Sequence, residues 1–97
     1  MVKHLIFWTL KPEKKAEAAE VAAMLDAKFK ALLGAMDGLT EIEVGQNYNG
    51  GGFDLALNCT FTSREAEKGY QNHPGHIAIK EIVHTLIDGR ECVDYEK

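Results

Sequence analysis

A phenol and two imidazoles lie close together in the segment Tyr70-Gln71-Asn72-His73-Pro74-Gly75-His76. Proline disfavours the α conformation of the residue before it, so a helix that contains Tyr70 must end by His73. Pro74 is well suited to the first position of a new helix, where its missing N–H is not needed. The segment therefore predicts a break between two helices, with Tyr70 at the end of one and His76 in the first turn of the next.

His76 has the setting that a general base requires. The positive end of the helix dipole disfavours a charged imidazole at a helix start, so we expect His76 to be neutral. A neutral imidazole can accept a proton from a substrate. A phenol such as that of Tyr70 can donate a hydrogen bond to an oxygen that becomes negative during the reaction. This part of the sequence indicates acid–base chemistry without naming a substrate.

Length and charge exclude several classes of function. The chain has 97 residues, which we interpret as one domain over residues 1–97. A formal net charge of −4 argues against a nucleic-acid partner, because such a partner requires a basic stripe. The apolar runs are too short for a membrane span, and no signal-peptide pattern is present. We therefore expect a cytoplasmic protein with neither a nucleic-acid nor a membrane partner.

The two cysteines, Cys59 and Cys92, lie in strand-like segments without a CxxC pattern or a Cys/His ligand spacing. A structural zinc site is not expected from this spacing. The histidines also form no i, i+4 ligand pair, and Pro74 interrupts His73 and His76. The predictions are therefore two free, buried thiols, no metal and no cofactor.

Hydrophobic periodicity predicts seven elements in the order β-α-β-β-α-α-β. A strand that is apolar on both faces is followed by a long amphipathic helix, two alternating strands, a helix pair and a last strand. Their expected ranges are 2–10, 13–36, 39–46, 53–61, 63–72, 74–86 and 90–95. The order predicts an α+β, ferredoxin-like fold: a four-stranded antiparallel sheet with the helices on one face and the first and third strands central.

The helices cover only one face of such a sheet. The other face carries Leu5, Phe7 and Ala56, which is more apolar surface than a monomer leaves in water. We therefore expect a homodimer that buries this face against a second copy of the chain.

The sequence resembles the Dabb family, the stress-responsive A/B barrel domain, over essentially its whole length. The residues that carry the resemblance are Val2-Lys3-His4-Leu5, Gly38, Ile42-Glu43-Val44-Gly45, Phe53-Asp54-Leu55-Ala56-Leu57, Tyr70-Gln71-Asn72-His73-Pro74-Gly75-His76 and Val93-Asp94-Tyr95. The resemblance implies a ferredoxin-like subunit in a dimeric α/β barrel. Some plant members are stress-associated, and one plant branch cyclises linear polyketides.

The cyclase branch implies roles for three residues of this chain. Its base falls on His76, and its assisting tyrosine and first-strand histidine fall on Tyr70 and His4. A further histidine of that branch corresponds to Leu55 here, so the resemblance carries over the general chemistry of the pocket rather than the specific cyclisation.

Two functions fit these observations. The first is a cofactor-free cyclase or isomerase in which His76, Tyr70 and His4 act on a small apolar carbonyl compound. The second is a non-catalytic, stress-associated dimer that binds an apolar ligand. The predicted pocket wall in both consists of Trp8, Leu25, Phe29 and Leu55.

Several polar residues also have purely structural interpretations. His4 could be a satisfied buried histidine, and Tyr70 and His73 could cap helix ends. His84 is expected to be solvated. Asp54 and Asp94 are expected to pair with donors at the dimer interface.

Overall fold

The computed structural model describes all of residues 1–97 and has the predicted α+β order. A short 3₁₀ helix at Pro12–Glu17 precedes the first α-helix. The strands are β1 (Val2–Leu10), β2 (Leu39–Gln46), β3 (Leu55–Phe61) and β4 (Ile87–Glu96). The helices are α1 (Ala18–Lys30), α2 (Arg64–Asn72) and α3 (Pro74–His84). None of the helices is both long and apolar enough to cross a bilayer.

The four strands form one antiparallel sheet in the order β2-β3-β1-β4. The prediction that the first and third strands are central is confirmed. Strand β1 pairs with both β3 and β4, so His4 lies opposite Cys59 on one side and Asp94 on the other. Residues opposite each other in such a sheet point to the same face, and all three therefore face the helices.

Burial follows the two-residue period of β1. Its odd-numbered side chains are partly exposed, whereas Val2, His4, Ile6, Trp8 and Leu10 are buried beneath the helices. The helices contribute apolar side chains to the same core, including Leu25 and Phe29 from α1 and Ile79 and Val83 from α3.

The first helix is shorter than the predicted range 13–36. Its beginning is a 3₁₀ helix, with Lys14 N–H bonded to the Lys11 carbonyl at 2.8 Å. Its end is tightened by i→i−3 bonds, such as the one from Leu32 N–H to the Phe29 carbonyl at 3.0 Å. Gly34 then turns the chain with a positive φ of 82°, a conformation that glycine adopts without strain. The apolar residues keep a helical spacing beyond Lys30 because Leu32 still packs into the core, and this spacing led to the longer predicted range.

Two strand boundaries also differ from the prediction. Strand β3 begins at Leu55 instead of residue 53, and β4 begins at Ile87 instead of residue 90. The pairing of Leu10 with Ile87 extends β4, and the register shifts between Thr9 and Leu10. Residues 87–89 show no apolar–polar alternation, so the sequence could not reveal that β4 begins before residue 90.

The outer face of the sheet has no helix over it. Leu5, Phe7 and Ala56 are only partly buried there, and Val93 and Tyr95 on β4 are exposed. Phe7 packs against Phe53 with ring centroids 5.8 Å apart, but no other layer covers the pair. Burying this face in a dimer would remove several large apolar side chains from water, each contributing about 1.5–3 kcal/mol when fully buried.

We expect the substitution Phe7→Glu to dissociate or unfold the homodimer, because it places a charge at the centre of this face. Light scattering on the purified protein measures the effect. The matched control is Ala23→Glu, which adds the same charge on the exposed side of α1 and should leave the mass of the assembly unchanged. A stable dimer in Phe7→Glu would show that another surface holds the copies together.

The strand order also predicts the state of the thiols. Cys59 on β3 and Cys92 on β4 lie on either side of β1, and both are free. Two strand spacings amount to about 9–10 Å, which exceeds the Cα separation that a disulfide allows. Cys59 is buried as expected, whereas Cys92 is exposed, so the expectation that both are buried is wrong for Cys92. Mass spectrometry after alkylation in denaturant without reductant should find two modified thiols, and an intrachain bridge would contradict the sheet order.

Candidate functional site

The break between α2 and α3 is built as the sequence predicts. His73 is extended, with φ −72° and ψ 133°, and Pro74 follows at the start of α3. The His73 Nδ1 accepts a hydrogen bond from the Gly75 N–H at 2.9 Å, so His73 caps the new helix. A Cβ at Gly75 would lie 2.9 Å from Leu32 Cδ2, which explains why a glycine fits here. Because of the break, Tyr70 and His76 point into the core, whereas the His73 side chain accepts a backbone hydrogen bond.

The three predicted catalytic residues lie together beneath this break. The Tyr70 ring packs on His76, with centroids 4.1 Å apart and the planes inclined at 34°. It also meets His4 edge-on at a centroid distance of 5.9 Å. The exposed fractions are 2% for His4, 1% for Tyr70 and 6% for His76. We call these three residues the His4–Tyr70–His76 cluster.

Each member of the cluster has a buried polar atom without a hydrogen-bond partner. These atoms are His4 Nε2, the Tyr70 hydroxyl and His76 Nδ1. The Tyr70 hydroxyl does have the Cys59 thiol within hydrogen-bonding reach, but a thiol is a weak hydrogen-bonding group. Buried polar groups in proteins are nearly always paired, and leaving one unpaired costs about 1–3 kcal/mol. Two unpaired imidazole nitrogens beside a weakly paired phenol are therefore unusual for a group whose role is only structural.

Burial sets the charge of these groups. It lowers the pKa of His76, and the positive charge of Lys80 acts in the same direction, while a hydrogen bond to the Gln71 backbone opposes them. Burial likewise raises the pKa of Tyr70 and raises that of Cys59 to about 12. At neutral pH the cluster therefore presents a neutral imidazole that can accept a proton and a phenol that can donate one.

Asp94 is a member of the site that sequence reasoning missed. Its carboxylate contacts His4 Nδ1 across the β1–β4 pairing. A carboxylate only accepts hydrogen bonds, so His4 Nδ1 carries a proton, and His4 Nε2 is buried without a hydrogen-bond partner. The expectation that Asp94 lies at the dimer interface is wrong, because its side chain is on the helix-covered face. The alternation of Val93 and Tyr95 against Asp94, combined with the register of β4 on β1, was the signal that could have found it.

The same expectation is wrong for Asp54. Its carboxylate accepts hydrogen bonds from the Leu10 N–H at 2.7 Å and from Lys15 Nζ at 2.9 Å. These bonds lower the pKa of Asp54 and join the start of β3 to the end of β1. Asp54 therefore has a structural partner within its own chain.

A cavity of about 50 Å³ lies beside His76, between the sheet and α3. This volume holds a few water molecules, whereas pockets for drug-sized ligands are several times larger. Its lining residues are Ile6, Trp8, Phe29, Leu57, Gln71, His76, Lys80, Val83, His84, Ile87 and Arg90.

The cavity contains only part of the predicted wall. Trp8 and Phe29 line it, with their rings 6.1 Å apart, whereas Leu25 and Leu55 are fully buried in the core away from it. His4 and Tyr70 lie outside the lining, with the Tyr70 ring against His76. The cationic residues that line one side, including Lys80 and Arg90, were not anticipated because exposed charges carry no periodic signal.

A second, more open groove lies on the other side of Tyr70. It has a volume of about 580 Å³ and runs between the α1–β2 connection and α2. Tyr70 and His73 are both part of its wall. Tyr70 thus lines this groove and also packs on His76, which lines the small cavity.

A known protein family matches this sequence and its architecture. The family model described as "Stress responsive A/B Barrel Domain" (Dabb) matches residues 2–97. The chain belongs to the Dabb family. No curated protein sequence matches it significantly.

Solved structures share this fold. A dimeric protein of unknown function with a ferredoxin-like fold from Bacteroides fragilis is 31% identical; the match covers 99% of this chain and 95% of that one, with a TM-score of 0.84. A protein from Arabidopsis thaliana is 25% identical; the match covers 100% of this chain and 95% of that one, with a TM-score of 0.76. A Dabb family protein from Mesorhizobium loti is 19% identical; the match covers 99% of this chain and 95% of that one, with a TM-score of 0.75. The dimeric Bacteroides relative supports a homodimer for this Dabb protein.

The lowered pKa of His76 predicts a dependence of stability on pH. An unperturbed histidine has a pKa of 6.5, so the unfolded chain binds this proton more tightly than the folded protein does. The free energy of unfolding should therefore fall as the pH drops below about 6.5, and His76 stops contributing to the fall once the pH is under its folded pKa. Urea unfolding at about pH 8 and about pH 5 measures this difference.

The substitution His76→Gln should remove that part of the pH dependence, whereas His84→Gln at an exposed position should retain it. Equal pH dependence in the unsubstituted protein and in His76→Gln would show that His76 titrates normally in the folded state.

Proposed function

We propose that this Dabb protein is a cofactor-free acid–base catalyst of the cyclase or isomerase type, acting on a small, largely apolar carbonyl compound. The observation that carries the proposal is the His4–Tyr70–His76 cluster, in which two buried imidazole nitrogens lack partners and the phenol has only the weak Cys59 thiol. A structural cluster would satisfy these atoms internally, whereas a catalytic one keeps them for the substrate.

His76 is the proposed base. Its imidazole is held neutral by burial and lines the cavity, and its Nδ1 is buried without a hydrogen-bond partner. In the proposed reaction Nδ1 takes a proton from the carbon next to a carbonyl group. The electron pair of the broken C–H bond moves towards the carbonyl oxygen, which becomes an enolate. The Tyr70 hydroxyl, protonated at neutral pH, would donate a hydrogen bond to that oxygen.

His4 is the proposed second polar contact. The Asp94 carboxylate fixes its ring with Nδ1 protonated, and Nε2 is left free on the buried side. In this arrangement His4 would accept a hydrogen bond from a hydroxyl of the substrate or from Tyr70. Asp94 contributes by holding the tautomer and orientation of His4.

The size of the cavity requires movement for any substrate larger than a few atoms. The Tyr70 ring packs on His76 and also lines the groove of about 580 Å³. Rotation of this ring would connect the two spaces and admit a substrate from the groove. Lys80 and Arg90 in the cavity lining would favour a substrate that also carries a negative group.

Non-catalytic binding of an apolar ligand is the second candidate. About half of the cavity lining is apolar, and the Trp8 and Phe29 rings provide a stacked aromatic wall. Binding would then depend on that wall and would need no proton transfer by His76.

Deuterium exchange separates the two functions without knowledge of the physiological substrate. NMR in heavy water follows the loss of the C–H signal next to the carbonyl in a panel of small ketones and β-dicarbonyl compounds. Because a positioned base contributes about 10²–10⁴ in rate, His76→Ala should remove most of the exchange catalysed by the protein. Tyr70→Phe should cost less, since it removes one hydrogen bond to the enolate.

His73→Asn is the matched control, because asparagine preserves a helix cap and His73 is already used by Gly75. It should leave the exchange rate unchanged. If a compound from the panel binds but no variant alters its exchange, and affinity falls instead with Phe29→Ala, the protein is a binder. Exchange that is equal with and without the protein for every bound compound would contradict the catalytic proposal.

A further inference from the structure

Three residues with metal-binding atoms meet at the edge of the sheet beside β4. They are His4, Cys92 and Asp94, and their ligand atoms all lie within 4.8 Å of one another. Cys92 and Asp94 are two residues apart on β4 and therefore point to the same face. The β1–β4 register places His4 opposite Asp94 and Ile6 opposite Cys92, so the imidazole completes the group from the neighbouring strand.

We propose that His4, Cys92 and Asp94 form a zinc(II) site. The set supplies one nitrogen, one sulfur and one carboxylate oxygen, which are the three donor types that zinc takes in proteins. A thiolate and a carboxylate together neutralise the charge of the ion, while the imidazole binds as a neutral ligand.

The distances around Cys92 suit tetrahedral coordination. Its Sγ lies 3.8 Å from His4 Nδ1 and 3.6 Å from Asp94 Oδ2. Bond lengths of about 2.3 Å for Zn–S and 2.0–2.1 Å for Zn–N or Zn–O place such donor pairs about 3.5 Å apart at a tetrahedral angle. The sulfur therefore already stands at ligand spacing from both partners.

Only the Asp94 carboxylate has to move. In the absence of an ion it touches His4 Nδ1 directly, whereas two ligands of one zinc ion lie about 3.3 Å apart. The Asp94 side chain is 49% exposed, so it can rotate outwards without disturbing the core. On binding, the Cys92 thiol loses its proton to solvent, and the His4 proton shifts from Nδ1 to the free Nε2.

The site is accessible from water. A groove of about 250 Å³ runs beside Asp94, with Glu67 of α2 and Glu96 among its lining residues. These carboxylates favour entry of a cation, although Arg64 and Lys68 line the same groove and Arg64 pairs with Glu96. The groove can supply a water molecule as the fourth ligand. Three protein ligands with one open position are typical of zinc sites that bind or activate a small molecule.

Linear spacing could not reveal this site, because His4 is separated from Cys92 by 88 residues. The competing interpretation is a metal-free chain of hydrogen bonds from the Cys92 thiol to Asp94 and from His4 to Asp94. The two interpretations differ in whether a metal bonds to the sulfur.

Cobalt(II) spectroscopy and zinc titration of the full-length protein, after metal removal with a chelator, test the proposal. We expect one zinc ion per chain by calorimetry and, with cobalt, a sulfur-to-metal charge-transfer absorption together with the visible bands of a tetrahedral ion. Cys92→Ser should abolish the charge-transfer absorption and weaken zinc binding by at least about tenfold. Asp94→Asn should weaken zinc binding while retaining the absorption.

Two controls preserve all three ligands: Cys59→Ala removes the other thiol, and Asp88→Asn removes an exposed carboxylate elsewhere on β4. Both should bind zinc as the unsubstituted protein does. His76→Ala should also bind zinc normally, because His76 is not a ligand, so failure of the zinc site can be told apart from failure of the proposed base. The zinc-bound form uses His4 Nδ1 and protonates Nε2, so it would lack the hydrogen-bond acceptor that the proposed catalysis takes from His4. Absence of the charge-transfer absorption, or its persistence in folded Cys92→Ser, would overturn the site; zinc affinity equal in all variants would mean adventitious surface binding.

Discussion

Pro74 imposes the constraint on which the site depends. It lacks the N–H that would continue α2, and its ring disfavours the helical conformation at His73, which is extended, so α2 ends and α3 begins at this point. His73 then gives its side chain to the cap of α3. Tyr70 and His76 consequently face inwards from two different helices and stack on one another, which two residues six positions apart on one continuous helix could not do.

The sheet supplies the other half of the site. The central strand β1 is covered by helices on one face, so His4 is forced into the core next to Tyr70. Burying an imidazole there is tolerable because Asp94 reaches Nδ1 from the edge strand β4. The resulting environment is dry enough to keep His76 neutral and Tyr70 protonated. Strand β4 also places Cys92 beside His4. The His4–Asp94 contact and the proposed metal ligands therefore lie at the same place in the fold.

The fold was predictable because it follows from local signals. Alternation in β1, the helical period of α1 and the chemistry of Pro74 each depend on residues close together in the chain. The packing of Tyr70 on His76 was also accessible, since the helix break dictates it. The contact between His4 and Asp94 was not, because it joins residues 90 positions apart through a strand register that the weakly patterned β4 did not fix.

The protonation pattern of the imidazoles tests the account of the site most directly. Long-range proton–nitrogen NMR on the chelator-treated protein at neutral pH reports which ring nitrogen carries the proton in each histidine. We expect His4 to be protonated at Nδ1, where Asp94 accepts, and His76 to be neutral with one nitrogen free to act as a base. A doubly protonated His76, or a His4 protonated only at Nε2, would contradict it.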